Sequence, residues 1–326
     1  MSKVSRLVVL LICLAFFQVS AQEAWIYVLH RDVGKVTVID PERRQLKVQI
    51  PLSGEVPTGI FPAPSGKYLF VTFKNSAIVS VIDTETIREE ATLRIDTGPP
   101  GSIVFSPLGE RTYITHPGSN EISLFFRKKL ELSLQERFQA GDSGTPIVLN
   151  RRGTRLYRNH RGGLAIIYGK TKEIIEEIKH PYGPAIWAFA PDFRFLWGTG
   201  LEGDAVVIVD ESRARIVDVL RTSVKPHVPV FSPDGRHAFF LEKTGTSVIV
   251  VETRTRKISE SISLPETVES IAVDETGVLW IIGTETDSVY ALDFPSGKVL
   301  RRIGLSGPAQ AVKFIELKTG EGFACF

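Results

Sequence analysis

The amino-acid sequence predicts an all-β fold, a single seven-bladed β-propeller whose ring is closed by the N- and C-terminal strands in one blade. Three observations support it. A unit of four short strands can be read along the chain, the unit recurs at a constant period near 42 residues, and the chain ends complete one unit together. The 326 residues, 43% of them hydrophobic, suffice for a large core.

The clearest copy of the unit lies between Pro57 and Ile95. Its apolar runs are rich in β-branched and aromatic residues, and Pro, Gly, Asn and Asp separate them. The four runs span 58–63, 67–73, 78–83 and 88–95. This composition is typical of a half-buried antiparallel meander. One meander cannot bury both faces alone, so it needs neighbours of its own kind.

All copies share a landmark at the end of the third strand, and successive landmarks lie 41 to 43 residues apart. The seven landmarks are Asp40, Asp83, Phe126, Tyr168, Asp210, Glu252 and Asp293. A short acidic side chain suits this place because it can accept backbone N–H groups of the following turn. Phe126 and Tyr168 lack that cap. Seven copies predict seven blades, with a solenoid or two sandwiches as the alternatives.

A second landmark is the turn between the first and second strands, which ends in Gly66, Gly109, Gly153, Phe193, Gly235 and Gly277. Glycine supplies the positive φ that such turns often need, and Phe193 breaks the pattern. The large aromatic residues of the strands, Tyr113, Trp187, Trp197, Phe239 and Trp280, are expected to form the core between blades.

The chain ends predict how the ring closes. The mature chain begins with a second-strand run, Trp25 to Leu29, so the first blade lacks an innermost strand. The last apolar run, Ala311 to Leu317, follows Pro308 as other first strands follow their prolines. It can complete the first blade and remove the exposed edges of an open sheet.

Residues 1–21 predict a secretory signal peptide. Lys3 and Arg6 precede the apolar run 7–17, and Val19-Ser20-Ala21 offers small residues for cleavage. The run is shorter than the roughly 20 residues that span a bilayer, which argues against a membrane anchor. We therefore expect an exported protein, periplasmic or secreted, with a propeller at 22–317, a tail at 318–326 and no stable membrane span after cleavage.

Charge and cysteine content narrow the function. Removing the signal peptide lowers the 39 basic residues to 37, which equals the 37 acidic residues. This balance gives no electrostatic reason to expect nucleic acid as a partner. Cys13 leaves with the signal peptide and Cys325 lies in the tail, so no internal disulfide and no Cys-x-x-Cys-His haem attachment is predicted.

The runs Tyr68–Asn75, Val79–Thr84 and Phe231–Gly235 resemble the YVTN-repeat β-propellers. That family belongs to a wider group with the d1-haem propeller of cytochrome cd1 nitrite reductase and accessory proteins of d1-haem and quinone-cofactor enzymes. The resemblance covers nearly the whole mature chain. It implies the propeller fold and an accessory role in a periplasmic redox or cofactor pathway, although the d1-haem propeller has one blade more.

In a propeller, the loops between second and third strands and the connections between blades open on one face. Three histidines end second strands on this face, in the first, third and fourth blades, if the fourth loop is two residues shorter. Two more lie in connections between blades. The predicted ligand-binding residues are His30, Arg31, Lys74, His116, His160, Arg161, His180 and His227. Arg158, Lys179 and Lys225 extend the basic charge of the same face.

Imidazole can coordinate a metal or haem iron, and the cations can hold an anionic ligand such as a carboxylated tetrapyrrole. The alternative is that polar residues simply belong on loops. No Gly-x-Ser-x-Gly occurs and no catalytic residue is predicted. The sequence favours a non-enzymatic propeller that binds a small molecule or a periplasmic protein. A carrier or enzyme of d1-type haem or another tetrapyrrole is one alternative, and a lactonase-like propeller with a divalent metal is another.

Overall fold

The structure, a computed structural model, describes residues 24–142, 145–181, 183, 185–200, 203–222 and 225–317. Their 28 strands form seven four-stranded antiparallel sheets, which are the blades of a seven-bladed β-propeller. No helix in the described ranges is long and apolar enough to cross a bilayer. The predicted signal peptide at 1–21 and the tail at 318–326 lie outside the described residues.

In each blade the strands follow one another from the central channel outwards. Blade 1 has β28 (Ala309–Glu316), β1 (Ala24–His30), β2 (Lys35–Asp40) and β3 (Gln45–Pro51). Blade 2 has β4 (Pro57–Pro62), β5 (Tyr68–Phe73), β6 (Ile78–Asp83) and β7 (Arg88–Arg94). Blade 3 has β8 (Ile103–Phe105), β9 (Arg111–Thr115), β10 (Glu121–Lys128) and β11 (Glu131–Gln139). Blade 4 has β12 (Val148–Leu149), β13 (Arg155–His160), β14 (Gly163–Tyr168) and β15 (Ile174–Ile178).

The remaining three blades follow the same order. Blade 5 has β16 (Ala185–Phe189), β17 (Phe195–Gly200), β18 (Ala205–Asp210) and β19 (Arg215–Arg221). Blade 6 has β20 (Pro226–Phe231), β21 (His237–Glu242), β22 (Ser247–Glu252) and β23 (Lys257–Ser263). Blade 7 has β24 (Val268–Val273), β25 (Leu279–Gly283), β26 (Ser288–Leu292) and β27 (Val299–Gly304).

The ring closes as the sequence predicts. β28 pairs with β1 antiparallel, from Ala24 opposite Glu316 to His30 opposite Ala309. Val312 of β28 packs in the cluster shared with blade 7, and Ile315 packs in the cluster shared with blade 2. The last strand therefore completes blade 1 and also joins both neighbouring blades.

The predicted acidic caps are present. The Asp83 carboxylate accepts the N–H groups of Glu85 and Thr86 at 2.9 and 3.0 Å, and Asp40 accepts the N–H of Arg43 at 2.9 Å. Phe126 and Tyr168, which replace the acid in blades 3 and 4, are exposed. The turn between third and fourth strands therefore does not require the acidic cap, because these strands still pair in blades 3 and 4.

The turn at Phe193 keeps the shape of the glycine turns. Phe193 adopts a φ of 55°, close to the 74° of Gly66 and the 67° of Gly235. Its ring stacks on Phe189 with 5.6 Å between centroids. A left-handed φ is uncommon for a bulky residue, and this ring contact is the compensation that the structure shows.

Each blade also has a β-bulge that the sequence did not reveal. The pairing of third and fourth strands shifts one step before the acidic landmark, as between Val38 and Ile39 or between Val250 and Val251. The same shift occurs in all seven blades. A bulge increases local twist, so the outer strands of every blade twist at the same place.

Candidate ligand-binding channel

The loops between second and third strands meet the connections between blades at one end of the ring, here called the loop face. The Arg31 N–H donates to the Pro308 carbonyl at 3.0 Å, and the Lys74 N–H donates to the Val56 carbonyl at 2.8 Å. The turns between first and second strands and between third and fourth strands lie at the other end, here called the turn face.

Two predicted ligand histidines are buried inside their own blades. His30 is fully buried, with Nε2 2.8 Å from the Thr37 hydroxyl, and His116 is 6% exposed, with Nε2 2.8 Å from the Ser123 hydroxyl. Both pairs bridge the second and third strands seven residues apart. In blade 2 the equivalent residue, Phe73, is buried against Gly54. The shared position is therefore one that supports the hairpin.

His160 and Arg161 lie at a two-residue hairpin, so the fourth loop is two residues shorter, as predicted. Arg161 and Gly162 have φ values of 48° and 76°, the left-handed pair of a tight β-hairpin. The His160 ring lies between two carboxylates, with Nδ1 3.8 Å from Asp142 Oδ1 and Nε2 3.5 Å from Glu177 Oε1. The Arg161 N–H donates to Asp142.

His180 is 7% exposed and belongs to the interface of blades 4 and 5. Its ring meets Trp187 edge-on at 5.6 Å, and the Trp187 indole N–H donates to Asn159 at 2.8 Å. Burial lowers the pKa of His180. The residue is thus part of the packing between blades.

Arg158 is not a cation of the loop face, contrary to the sequence prediction. It is fully buried, and it donates to the carbonyls of Thr145, Asn120 and Ala140 at 3.1, 2.9 and 2.6 Å. Burial lowers the pKa of Arg158 to about 10, so it remains charged near neutral pH. It ties the blade 3 loop to the connection with blade 4.

Four members of the predicted set are exposed, namely Arg31, Lys74, Arg161 and His227. The Arg31 guanidinium forms an ion pair with Glu269 of blade 7. The structure does not bring the predicted histidines together, because His30, His116, His160 and His227 belong to four different blades. Among the described residues, no three His, Cys, Asp or Glu side chains group closely enough to hold a metal ion.

The innermost strands contact one another round the ring, from β8 through β12, β16, β20, β24 and β28 to β4. In four blades that follow one another around the ring, the innermost strand has a bulge near its loop-face end. Each bulge inserts one residue that follows the first pair of the strand, namely Gln310, Thr58, His227 and Glu269 in blades 1, 2, 6 and 7. These residues form a polar arc at the channel mouth.

One level deeper, each innermost strand pairs with a fully buried aromatic residue of the second strand. These aromatic residues are Tyr27, Phe70, Tyr113, Tyr157, Trp197, Phe239 and Trp280. Their partners on the innermost strands form what we call the channel ring: Lys313, Phe61, Val104, Val148, Ala188, Val230 and Ala272. Six of the seven positions are apolar, and Lys313 is the single charge.

Lys313 faces the central channel. It is exposed although it lies in the middle of β28, whose outer edge is covered by β1. The open space beside the middle of an innermost strand is the channel. The pKa of Lys313 is nevertheless lowered, because protein atoms around the channel displace part of the water that solvates the charged amine.

His227 behaves similarly at the mouth. The residue is exposed, yet the surrounding protein and then the Lys243 ammonium lower its pKa. In both groups, therefore, an exposed side chain has a charged form that the neighbouring protein disfavours.

Four residues of the channel were not predicted from the sequence, namely Lys313, Glu269, Gln310 and Thr58. A signal for Lys313 was present, because it is the one cation among the apolar first-strand runs. The mouth residues gave no comparable signal, since the bulge that exposes them depends on pairing with the next strand.

The fold defines a seven-bladed β-propeller with a polar arc at the channel mouth and, below it, a ring of six apolar residues and one lysine. No protein-family model matches the sequence, and no curated protein matches it. The resemblance to YVTN-repeat propellers thus stays a prediction.

Solved structures share the fold at low identity. A functionally unknown protein from Desulfotomaculum acetoxidans has 13% identity and a TM-score of 0.74, covering 90% of this chain and 98% of its own. Apo AztD from Citrobacter koseri has 14% identity and a TM-score of 0.71, with the same coverage. The dihydro-heme d1 dehydrogenase NirN in complex with DHE has 12% identity and a TM-score of 0.68, covering 88% and 74%. At these identities the similarity shows the fold alone.

The buried His30 generates a prediction about pH. Burial, then the nearby Lys35 ammonium, lowers the pKa of His30 from 6.5 to about 4. Between these values the unfolded chain binds a proton that the folded protein does not, so stability falls as pH decreases from 6.5 towards 4. The loss in the free energy of unfolding reaches about 3 kcal/mol once the pH is below both values.

Urea unfolding measured between pH 6.5 and 4 tests this. The His30→Gln variant should lose less of its free energy of unfolding over this pH range than wild type. Parallel losses in both proteins would contradict the assignment.

Proposed function

We propose that this chain is an exported, non-enzymatic propeller that binds a small amphipathic carboxylate in its central channel, as an accessory factor of a periplasmic redox or cofactor pathway. The observation that carries the proposal is Lys313, the single charge in the channel ring. The accessory role rests on the resemblance to YVTN-repeat propellers and on the similar fold of NirN, whose structure contains DHE.

The chemistry of the channel ring favours a ligand with one anionic group and an apolar body. The other six positions at the level of Lys313 are apolar, so the ammonium loses part of its hydration, and a carboxylate gains more by pairing with it than in water. The apolar side chains of the ring offer contact surface for the remainder of the ligand. The ring places no second charged group at the level of Lys313, so the ammonium is available to pair with an anionic ligand.

The mouth favours entry from the loop face. Gln310 donates to the Pro57 carbonyl at 2.7 Å, and Glu269 pairs with Arg31. These contacts hold Gln310 and Glu269 in place. The other two residues of the polar arc, Thr58 and His227, are exposed at the mouth. A ligand that enters here meets hydrogen-bonding groups before it reaches the apolar ring.

The test is the binding of 11-(dansylamino)undecanoate, measured by dansyl fluorescence. Lys313→Met should weaken binding about 10- to 100-fold, since a hydrogen bond to a charged group contributes about 1.5–3 kcal/mol. The methyl ester of the probe, which lacks the charge, should bind wild type and Lys313→Met alike.

Lys298→Met is the matched control, because Lys298 is exposed in a turn at the turn face. It should leave the affinity unchanged. Equal affinity of wild type and Lys313→Met for the carboxylate, or no binding of the probe at all, would overturn the proposal.

The second candidate is the binding of a tetrapyrrole such as d1-type haem at the channel mouth. It is favoured by His227, an exposed imidazole whose lowered pKa keeps it neutral and able to coordinate iron. His30 and His116 are engaged inside their blades and fit this role less well.

Haemin absorbance tests this candidate. If haemin binds through His227, His227→Ala should shift or abolish the Soret band of the complex. His237→Ala, at the turn-face end of the same blade, should keep the band unchanged. Failure of haemin to bind the wild type, or an identical spectrum in His227→Ala, would exclude this candidate.

A further inference from the structure

A basic groove lies on the turn face, at the opposite end of the ring from the loop-face mouth. A groove of about 360 Å³ opens between the outer parts of blades 5 and 6. Its charged lining consists of Arg194, Arg213, Arg215, Arg256 and Asp210. Four guanidinium groups and one carboxylate line the groove, and Asp218 outside the lining pairs with Arg256, which leaves a surplus of two positive charges.

The single carboxylate in the lining is already engaged. Asp210 Oδ1 accepts the Ser212 hydroxyl at 2.6 Å and the Arg213 N–H at 3.1 Å. Burial would raise the pKa of Asp210, but these hydrogen bonds outweigh burial and lower it. Asp210 therefore serves as the cap of its turn, as the sequence predicts for this landmark, and its negative charge offsets only one of the arginines.

Two of the arginines are held in place by one aromatic ring. The guanidinium carbons of Arg194 and Arg256 lie 4.9 and 4.5 Å from the centre of the Phe195 ring. Arg256 also lies 3.8 Å from Asp218. Side chains that are ordered in advance lose less conformational entropy when they bind a ligand.

Arg213 and Arg215 supply the other side of the groove. Both are exposed and flank Ala214, which adopts a φ of 48° in the turn between the third and fourth strands. The two arginines belong to blade 5, as Arg194 does, whereas Arg256 reaches across from blade 6. The site therefore depends on the packing of two adjacent blades.

We propose that this groove binds a phosphoryl or sulfate group, through forked hydrogen bonds from the four arginines. The guanidinium fork matches the oxygen spacing of tetrahedral oxoanions, and clustered arginines are the typical recognition device for them. The proposal is independent of the channel, because the two sites share no residue and open on opposite faces.

The test uses inorganic pyrophosphate and isothermal titration calorimetry at low ionic strength, where exposed charges are least screened. The double variant R213Q/R215Q should bind pyrophosphate about tenfold more weakly than wild type, given that each exposed pair contributes modestly. Arg254→Gln is the matched control. Arg254 lies in the same turn as Arg256, but its side chain is 88% exposed outside the groove.

Two sources of the group are separated by a second arm, sedimentation with phosphatidylcholine vesicles that contain phosphatidate. Groove-dependent binding of pyrophosphate alone supports a small phosphorylated ligand, and groove-dependent binding of the vesicles supports a lipid headgroup. Absence of binding in both arms would overturn the proposal. An equal loss in Arg254→Gln and in R213Q/R215Q would also overturn it, because diffuse surface charge would then explain the binding.

Discussion

Closure of the ring through the pairing of β28 with β1 is the contact on which the rest of the structure depends. A four-stranded blade exposes two apolar faces and buries them only against two neighbours. Without β28, blade 1 would expose the edge of β1, and blades 7 and 2 would lose Val312 and Ile315 from their shared clusters. Closure therefore satisfies backbone hydrogen bonds and apolar packing in one step.

The same closure creates the candidate site. Seven innermost strands enclose a channel, and the equivalent residue of each blade meets its neighbours at one level. Aromatic residues behind this level, such as Tyr27 and Trp280, fill the space between blades, and ring residues such as Phe61 and Ala272 pack against the same clusters. A lysine at one of these positions is tolerated because its amine stays in contact with channel water.

The fold could be predicted because the same weak strand pattern occurs in seven copies. A single run such as 78–83 indicates a strand, but seven such runs at a constant spacing indicate a propeller, and the terminal runs indicate the blade in which it closes. The strands of blade 2 begin and end within one residue of the predicted runs. Phe193 shows the limit of the turn rule, since backbone conformation was kept by tertiary context where glycine was absent.

The site was less predictable, for a physical reason. Register alone placed His30 and His116 at the ends of second strands, but it did not show that hydroxyls seven residues later bind them inside the hairpin. The burial of Arg158 is not visible in the sequence, because the guanidinium is held by backbone carbonyls and no particular residue type marks them. The bulges that place His227 and Glu269 at the mouth arise from strand pairing, and a single sequence does not reveal them.

The most direct measurement concerns the Lys313 amine itself. Lysines are reductively methylated with ¹³C-formaldehyde, and the Lys313 signal is assigned by its absence in Lys313→Met. We expect its pKa to lie below that of the other lysines in the free protein and to rise when undecanoate is added, because a bound carboxylate stabilises the charged form. An ordinary pKa that does not respond to the carboxylate would contradict the account.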